Sequence, residues 1–220
     1  MTVTIRCTLF RCLDGRRNTG PQVTTWMSPR RLPGLFTTND AAFVAVSIAT
    51  FAGLRLSEIR GLRCADFDGT MLRIQRSVWR TQVGPTKTEE SEAAVSVIPA
   101  LRYVLETYRK KVQPKAEDYI LAGERKDMPL NLHNLANRVI KPALNEKGLE
   151  WKGWKVWRAG LGSALYALKV PTKVIAAILR HDPLTSWKYY IDAPSEESVK
   201  AMEGIKECFT AVEEADNESH

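Results

Sequence analysis

Residues 41–52 read AAFVAVSIATFA, an uncharged and almost wholly apolar run. A helix of that composition has no face to offer to water, so it must be buried on most sides. Thr37-Thr38-Asn39-Asp40 supplies its start signal. Whatever fold the chain adopts is built around this segment. The chain has 220 residues and is 44% apolar, enough for one packed domain with a short appendage.

The run ends in Gly53-Leu54-Arg55-Leu56-Ser57-Glu58. An amphipathic helix is expected from Ser57 to Arg63, with Ser57 as its N-cap and Glu58 in its first turn. Arg55 then falls in the tight connection between two helices, where its guanidinium can point away from the core. Taken alone, it is equally well a surface arginine in a helix–turn–helix.

The next stretch changes period. Residues 70–81 (TMLRIQRSVWRT) set Leu72 and Ile74 against Arg73 and Gln75, and residues 93–98 (AAVSVI) alternate again. This predicts a small antiparallel sheet of two or three strands, broken at Gly84-Pro85, with Lys87 near the tip of the loop 86–92. Pro99 opens a helix with Leu101, Val104, Leu105, Tyr108 and Val112 on one face, and Pro114 ends it. Asn131 caps another, with Leu132, Leu135, Val139 and Ile140 inward, and Pro142 kinks or ends it. Two more helices are expected at 158–169 and 172–180, the second with Ile175, Ile178 and Leu179 as its inward stripe. Trp151, Trp154 and Trp157 read as packing residues rather than a stacking platform for bases. The fold class is α+β, mainly helical, with a small antiparallel sheet.

The net charge is +7 and the pI about 9.3, which favours a polyanionic partner, nucleic acid first. The 4 cysteines include no CxxC pair and there are 3 histidines, so neither a zinc site nor a disulfide framework is expected. Together with the lack of a bilayer-length apolar run or a signal peptide, this points to a cytoplasmic protein.

Four separated pieces remain: GLRLSE at 53–58, TKTEES at 86–91, KVWRAGL at 155–161, and ILRHD followed by YYI within 178–191. Their order and spacing, with strands between the first and third, resemble the catalytic domain of the tyrosine recombinases, the phage-integrase family. The resemblance covers about residues 37–195. It implies that Arg55 is the first arginine of the family's site and Glu58 the acid that usually follows it. Lys87 matches the hairpin lysine, and Lys155 with Arg158 matches the box usually written His-x-x-Arg. His181 matches the next His or Trp position, and Tyr190 the nucleophile, with Tyr189 as the alternative one residue earlier.

These residue types suit the chemistry that the resemblance implies. A tyrosine oxygen attacks a DNA phosphodiester, leaving a covalent 3′-phosphotyrosine and a free 5′-hydroxyl, without a cofactor or metal. Arg55 and Arg158 can clamp the non-bridging oxygens, since guanidinium donors are planar, bidentate and always charged. Lys87 can protonate the leaving oxygen, and His181 can donate to the phosphate. A cationic pocket helps Tyr190, whose reference pKa is about 10, to lose its proton.

Two residues depart from the family pattern. Lys155 stands where His is commonest, and Arg180 stands where the family often has Gly. The family's N-terminal helical domain, which closes around DNA, has no counterpart in residues 1–36, a basic arm or linker. The expected organisation is therefore an arm (1–36), a catalytic domain (37–195) and an acidic amphipathic tail (196–220) able to dock on a neighbouring protomer. The implied partner is double-stranded DNA, bound by a homotetramer that is monomeric without it. Two alternatives stand beside a site-specific recombinase: a DNA-binding remnant without turnover, and a type IB topoisomerase-like relaxing activity.

Overall fold

The computed structural model describes residue 36 and residues 39–79, 82–84 and 93–180. Residues 1–35 of the arm, the stretch 85–92 with Lys87, the segment from His181 through Tyr189 and Tyr190, and the acidic tail lie outside the described residues.

The apolar run forms helix α1, Asp40–Phe51, at the centre of the fold. Asn39 starts it: its side-chain oxygen accepts the Ala42 amide at 2.9 Å, satisfying one of the free donors of the first turn. Residues 44–50 are buried without interruption, as a helix with no polar face requires. Helix α2 (Leu56–Gly61) follows, then a 3₁₀ turn at Cys64–Asp66.

Helix α2 starts before the expected Ser57 cap. Its N-cap is Arg55, and Leu56 is its first residue. The reason is Glu58, which as the third helical residue reaches back to accept the Arg55 backbone N–H at 2.8 Å. That bond fixes the N-cap two residues upstream of the serine, against the local preference for Ser at a cap.

Among the described residues, four short strands stand where two or three are expected. They are β1 (Met71–Ile74), β2 (Ser77–Trp79), β3 (Gln82–Gly84) and β4 (Ala93–Ser96). They form two antiparallel pairs, β1 with β4 and β2 with β3, with Leu72 opposite Val95 and Val78 opposite Val83. Leu72 and Ile74 point into the core while Arg73 faces out, as the alternation predicts. Asp68 turns the chain into β1: its Oδ1 accepts the amides of Thr70 and Met71 at 3.0 and 2.8 Å.

Helix α3 (Pro99–Val112) buries Leu101 and Leu105 and ends at Gln113 in the left-handed conformation, directly before Pro114. It packs on α1, and Lys111 near its end pairs with Asp40 at the start of α1. Asn131 caps α4 (Leu132–Leu135), which runs through a wide π turn at Ala136–Ile140 into α5 (Lys141–Asn145). Pro142 therefore does not stop the helical path. Proline has no N–H to return to the fourth residue before it, and the wide turn absorbs the missing bond.

Helices α6 (Lys155–Ala167) and α7 (Thr172–Leu179) close the described part of the fold. Helix α6 begins earlier than expected, so Lys155 and Arg158 both lie in its first turn. It packs on α1 and α7. In α7, Ile175 and Leu179 are buried, but Ile178 is 37% exposed and does not belong to the inward stripe. Trp157 is buried in the core, and Trp151 and Trp154 meet edge to face at 5.5 Å, which is a packing role. Among the described residues, no helix is long and apolar enough to cross a membrane.

Candidate active site

The linker Gly53-Leu54-Arg55 is the point where α1, α2, α6 and α7 meet. Gly53 has φ +60°, a conformation that only glycine adopts without strain. A Cβ there would lie 2.9 Å from Leu179 and 3.0 Å from Leu161. The linker is thus pressed against the last turn of α7 and the middle of α6, where a side chain would have to displace these leucine methyls.

Two guanidiniums lock this junction. Arg158, one turn into α6, donates from Nη1 to the Gly53 carbonyl at 2.7 Å and from Nη2 to the Leu179 carbonyl. Arg55 donates from Nη2 to the Arg180 carbonyl at 2.9 Å and from Nη1 to Glu58 Oε1 at 2.8 Å. The two arginines come from sites 103 positions apart, Arg55 and Arg158, and bind consecutive carbonyls at the end of α7. The Arg55 side chain remains 40% exposed, so the guanidinium is held at its inner edge and open to solvent elsewhere.

The carboxylate of Glu58 is 3% exposed and is bound from two directions. Oε1 takes Arg55, and Oε2 takes both the Arg55 amide and Nη2 of Arg180, each at 2.8 Å. Arg180 occupies the C-cap of α7 with φ 50° and ψ 60°, and its side chain is also 3% exposed. Burial pushes its pKa down, Glu58 pulls it back up, and Arg55 pushes it down again. Lys155 is exposed at the first position of α6, three residues before Arg158 and so on the same side of the helix.

Other arginines near α2 serve the fold. Arg76 pairs with the buried Asp66 and reaches the Gly61 carbonyl, and Arg60 donates to the Val78 carbonyl. Arg63 lies over the Tyr119 ring at 5.3 Å. Among the described residues, no group of three or more His, Cys, Asp or Glu side chains comes together as a metal site would require.

The model of the phage integrase family matches residues 35–197. The chain belongs to that family. This integrase-family chain also shares its fold with solved structures of low sequence identity. One is the integrase of transposon Tn1549 in complex with transposon right end DNA, with TM-score 0.69, 14% identity, and coverage of 87% of this chain and 66% of that one. Another is XerA recombinase, with TM-score 0.61, 14% identity and coverage of 86% and 63%. A lambda integrase dimer bound to a COC′ core site follows, with TM-score 0.53, 16% identity and coverage of 78% and 59%. The chain thus spans slightly less than two thirds of the length of these structures. No curated protein matches it in sequence.

Of the six site residues expected from the integrase pattern, the structure places three. Arg55 and Arg158 converge on the junction of the Gly53–Arg55 linker with the end of α7, and Lys155 lies on the adjoining turn of α6. Lys87, His181 and Tyr190 lie outside the described residues, although His181 directly follows Arg180 in the chain. The sequence marks Arg180 only as a departure from glycine. Its pairing with Glu58 has no local signal, because the two meet only when α7 packs beside the linker.

Proposed function

We propose that the chain is a site-specific DNA recombinase that breaks and rejoins strands through a covalent 3′-phosphotyrosine. The observation that carries this reading is the convergence of Arg55 and Arg158 at the end of α7, one residue before His181. Family membership and the fold shared with DNA-bound integrases support it.

In the proposed reaction, the Tyr190 hydroxyl gives its proton to solvent water and its oxygen attacks the phosphorus. The bond to the 5′-oxygen breaks, and Lys87 protonates that oxygen as it leaves. Charge accumulating on the non-bridging oxygens is met by Arg55 and Arg158, with His181 as a further donor and Lys155 as a nearby cation. Carbonyls already pin the two arginines, so little reorganisation is needed when the phosphate arrives. Attack by a 5′-hydroxyl of another strand reverses the step and completes the exchange. The expected substrate complex is a homotetramer on two duplexes.

The test uses nicked duplexes drawn from the flanks of the chain's own coding locus. Wild type is expected to form a protein–DNA adduct that survives denaturation, and Tyr190→Phe is expected to form none. An adduct that persists in Tyr190→Phe and vanishes in Tyr189→Phe moves the nucleophile to Tyr189. Binding without any adduct would favour the remnant, and relaxation of supercoiled plasmid without strand exchange the topoisomerase-like activity.

A further inference from the structure

We infer that Arg180 is a positioning residue for DNA cleavage, acting through Glu58 to hold Arg55 in place and keep its positive charge available to the phosphate. This rests on the recombinase reading above.

The position itself resists an arginine. Its φ of 50° lies in the left-handed region, where glycine is at ease and a side chain is strained. The guanidinium is then buried, and among the described residues Nε and Nη1 find no hydrogen-bond partner. A buried cation with unmet donors is unfavourable unless something specific is gained.

What is gained is a closed ring of contacts. Arg180 Nη2 binds Glu58 Oε2, Glu58 Oε1 binds Arg55 Nη1, and Arg55 Nη2 binds the Arg180 carbonyl. The side chain of Arg180 thus steadies the carboxylate, the carboxylate steadies Arg55, and Arg55 returns to the backbone of Arg180. The end of α7, where the chain passes to His181, is tied to the arginine linker by the same ring.

The charge balance points the same way. Glu58 facing Arg55 alone would form a one-to-one ion pair and cancel the cation that a phosphate needs. With Arg180 on the other carboxylate oxygen, one anion is shared between two cations. The group of Arg55, Glu58 and Arg180 therefore keeps one positive charge in excess.

The full chain is compared as wild type, Arg180→Lys, Arg180→Met and the double variant Arg180→Met with Glu58→Gln. Adduct formation on a nicked duplex is followed at saturating DNA, with half-saturation and thermal midpoint measured beside it. Arg180→Met is expected to slow cleavage by about tenfold or more, with half-saturation changed less than about twofold. Arg180→Lys should recover part of the rate. The double variant should cleave faster than Arg180→Met, because glutamine still offers Arg55 an oxygen but no longer cancels its charge. Wild-type rate in Arg180→Met overturns the inference, as does a loss explained by a fallen thermal midpoint or a double variant no faster than the single. No adduct from wild type overturns the recombinase reading itself, and this inference with it.

Discussion

Glu58 and Arg180 lie 122 residues apart in the chain, and their charged groups are 2.8 Å apart in the fold, with each side chain 3% exposed. The pair joins the first turn of α2 to the C-cap of α7, across the linker that carries Arg55. A buried carboxylate that lost both cations would be strongly disfavoured, so this contact also fixes how the C-terminal helices sit on the N-terminal ones.

Arg55→Ala should keep the fold, because Glu58 retains Arg180 and takes its other backbone bond from an amide that alanine also has. Cleavage should fall by about 10²–10³ or more, the scale for losing a donor to developing negative charge. Adduct yield on nicked DNA, with circular dichroism as the folding control, checks both halves. An active Arg55→Ala chain would sink the assignment of the site.

Gly53→Ala should unfold at lower urea than wild type, by about 1–3 kcal/mol, since its Cβ combines a left-handed backbone with overpacking. The new methyl would sit 2.9 Å from Leu179 and 3.0 Å from Leu161. Gly61→Ala should behave alike, since its Cβ would fall 2.6 Å from the Arg76 carbonyl oxygen, a backbone atom that cannot swing aside.

Leu101→Ala should cost about 2–5 kcal/mol, as the side chain is fully buried between α3 and the core. Ile178→Ala should change stability by no more than about 0.5 kcal/mol, as an exposed position does. Chemical denaturation of Ile178→Ala, with Leu101→Ala as the buried reference, tests whether Ile178 faces inward, where a reading of the apolar pattern alone puts it.

Asp68 should titrate below the usual carboxylate range. Amide bonds from Thr70 and Met71 favour its charged form, with the Thr70 hydroxyl adding to them. Because the folded pKa is depressed, its contribution is present above the unfolded pKa and is lost as pH falls through the folded one. Asp68→Asn keeps the acceptor oxygen and should remove this acid-side dependence, whereas Asp68→Ala should weaken the turn at every pH. NMR titration of the carboxyl, with melting followed from neutral to acid pH, measures it.

Much of this was legible without coordinates. The run 41–52 has no polar face, and hydrophobic burial alone makes it the central helix. The Asn39 and Asn131 caps, the Pro99 start and the inward stripe of α3 follow from local backbone chemistry, which neighbouring residues decide. The four pieces that mark Arg55 and Arg158 were visible as ordered motifs.

Tertiary packing decided the rest. Local preference puts a cap at Ser57, but the buried Glu58 carboxylate captures the Arg55 amide and moves the start of α2. The apolar pattern of α7 points Ile178 inward, but the geometry of packing on α6 leaves it at the surface. Above all, the charge of Arg180 is placed by a partner more than a hundred residues away. Helix caps and burial are read from neighbours along the chain. A desolvated ion pair depends on which surfaces meet, and only the folded chain brings α7 to Glu58.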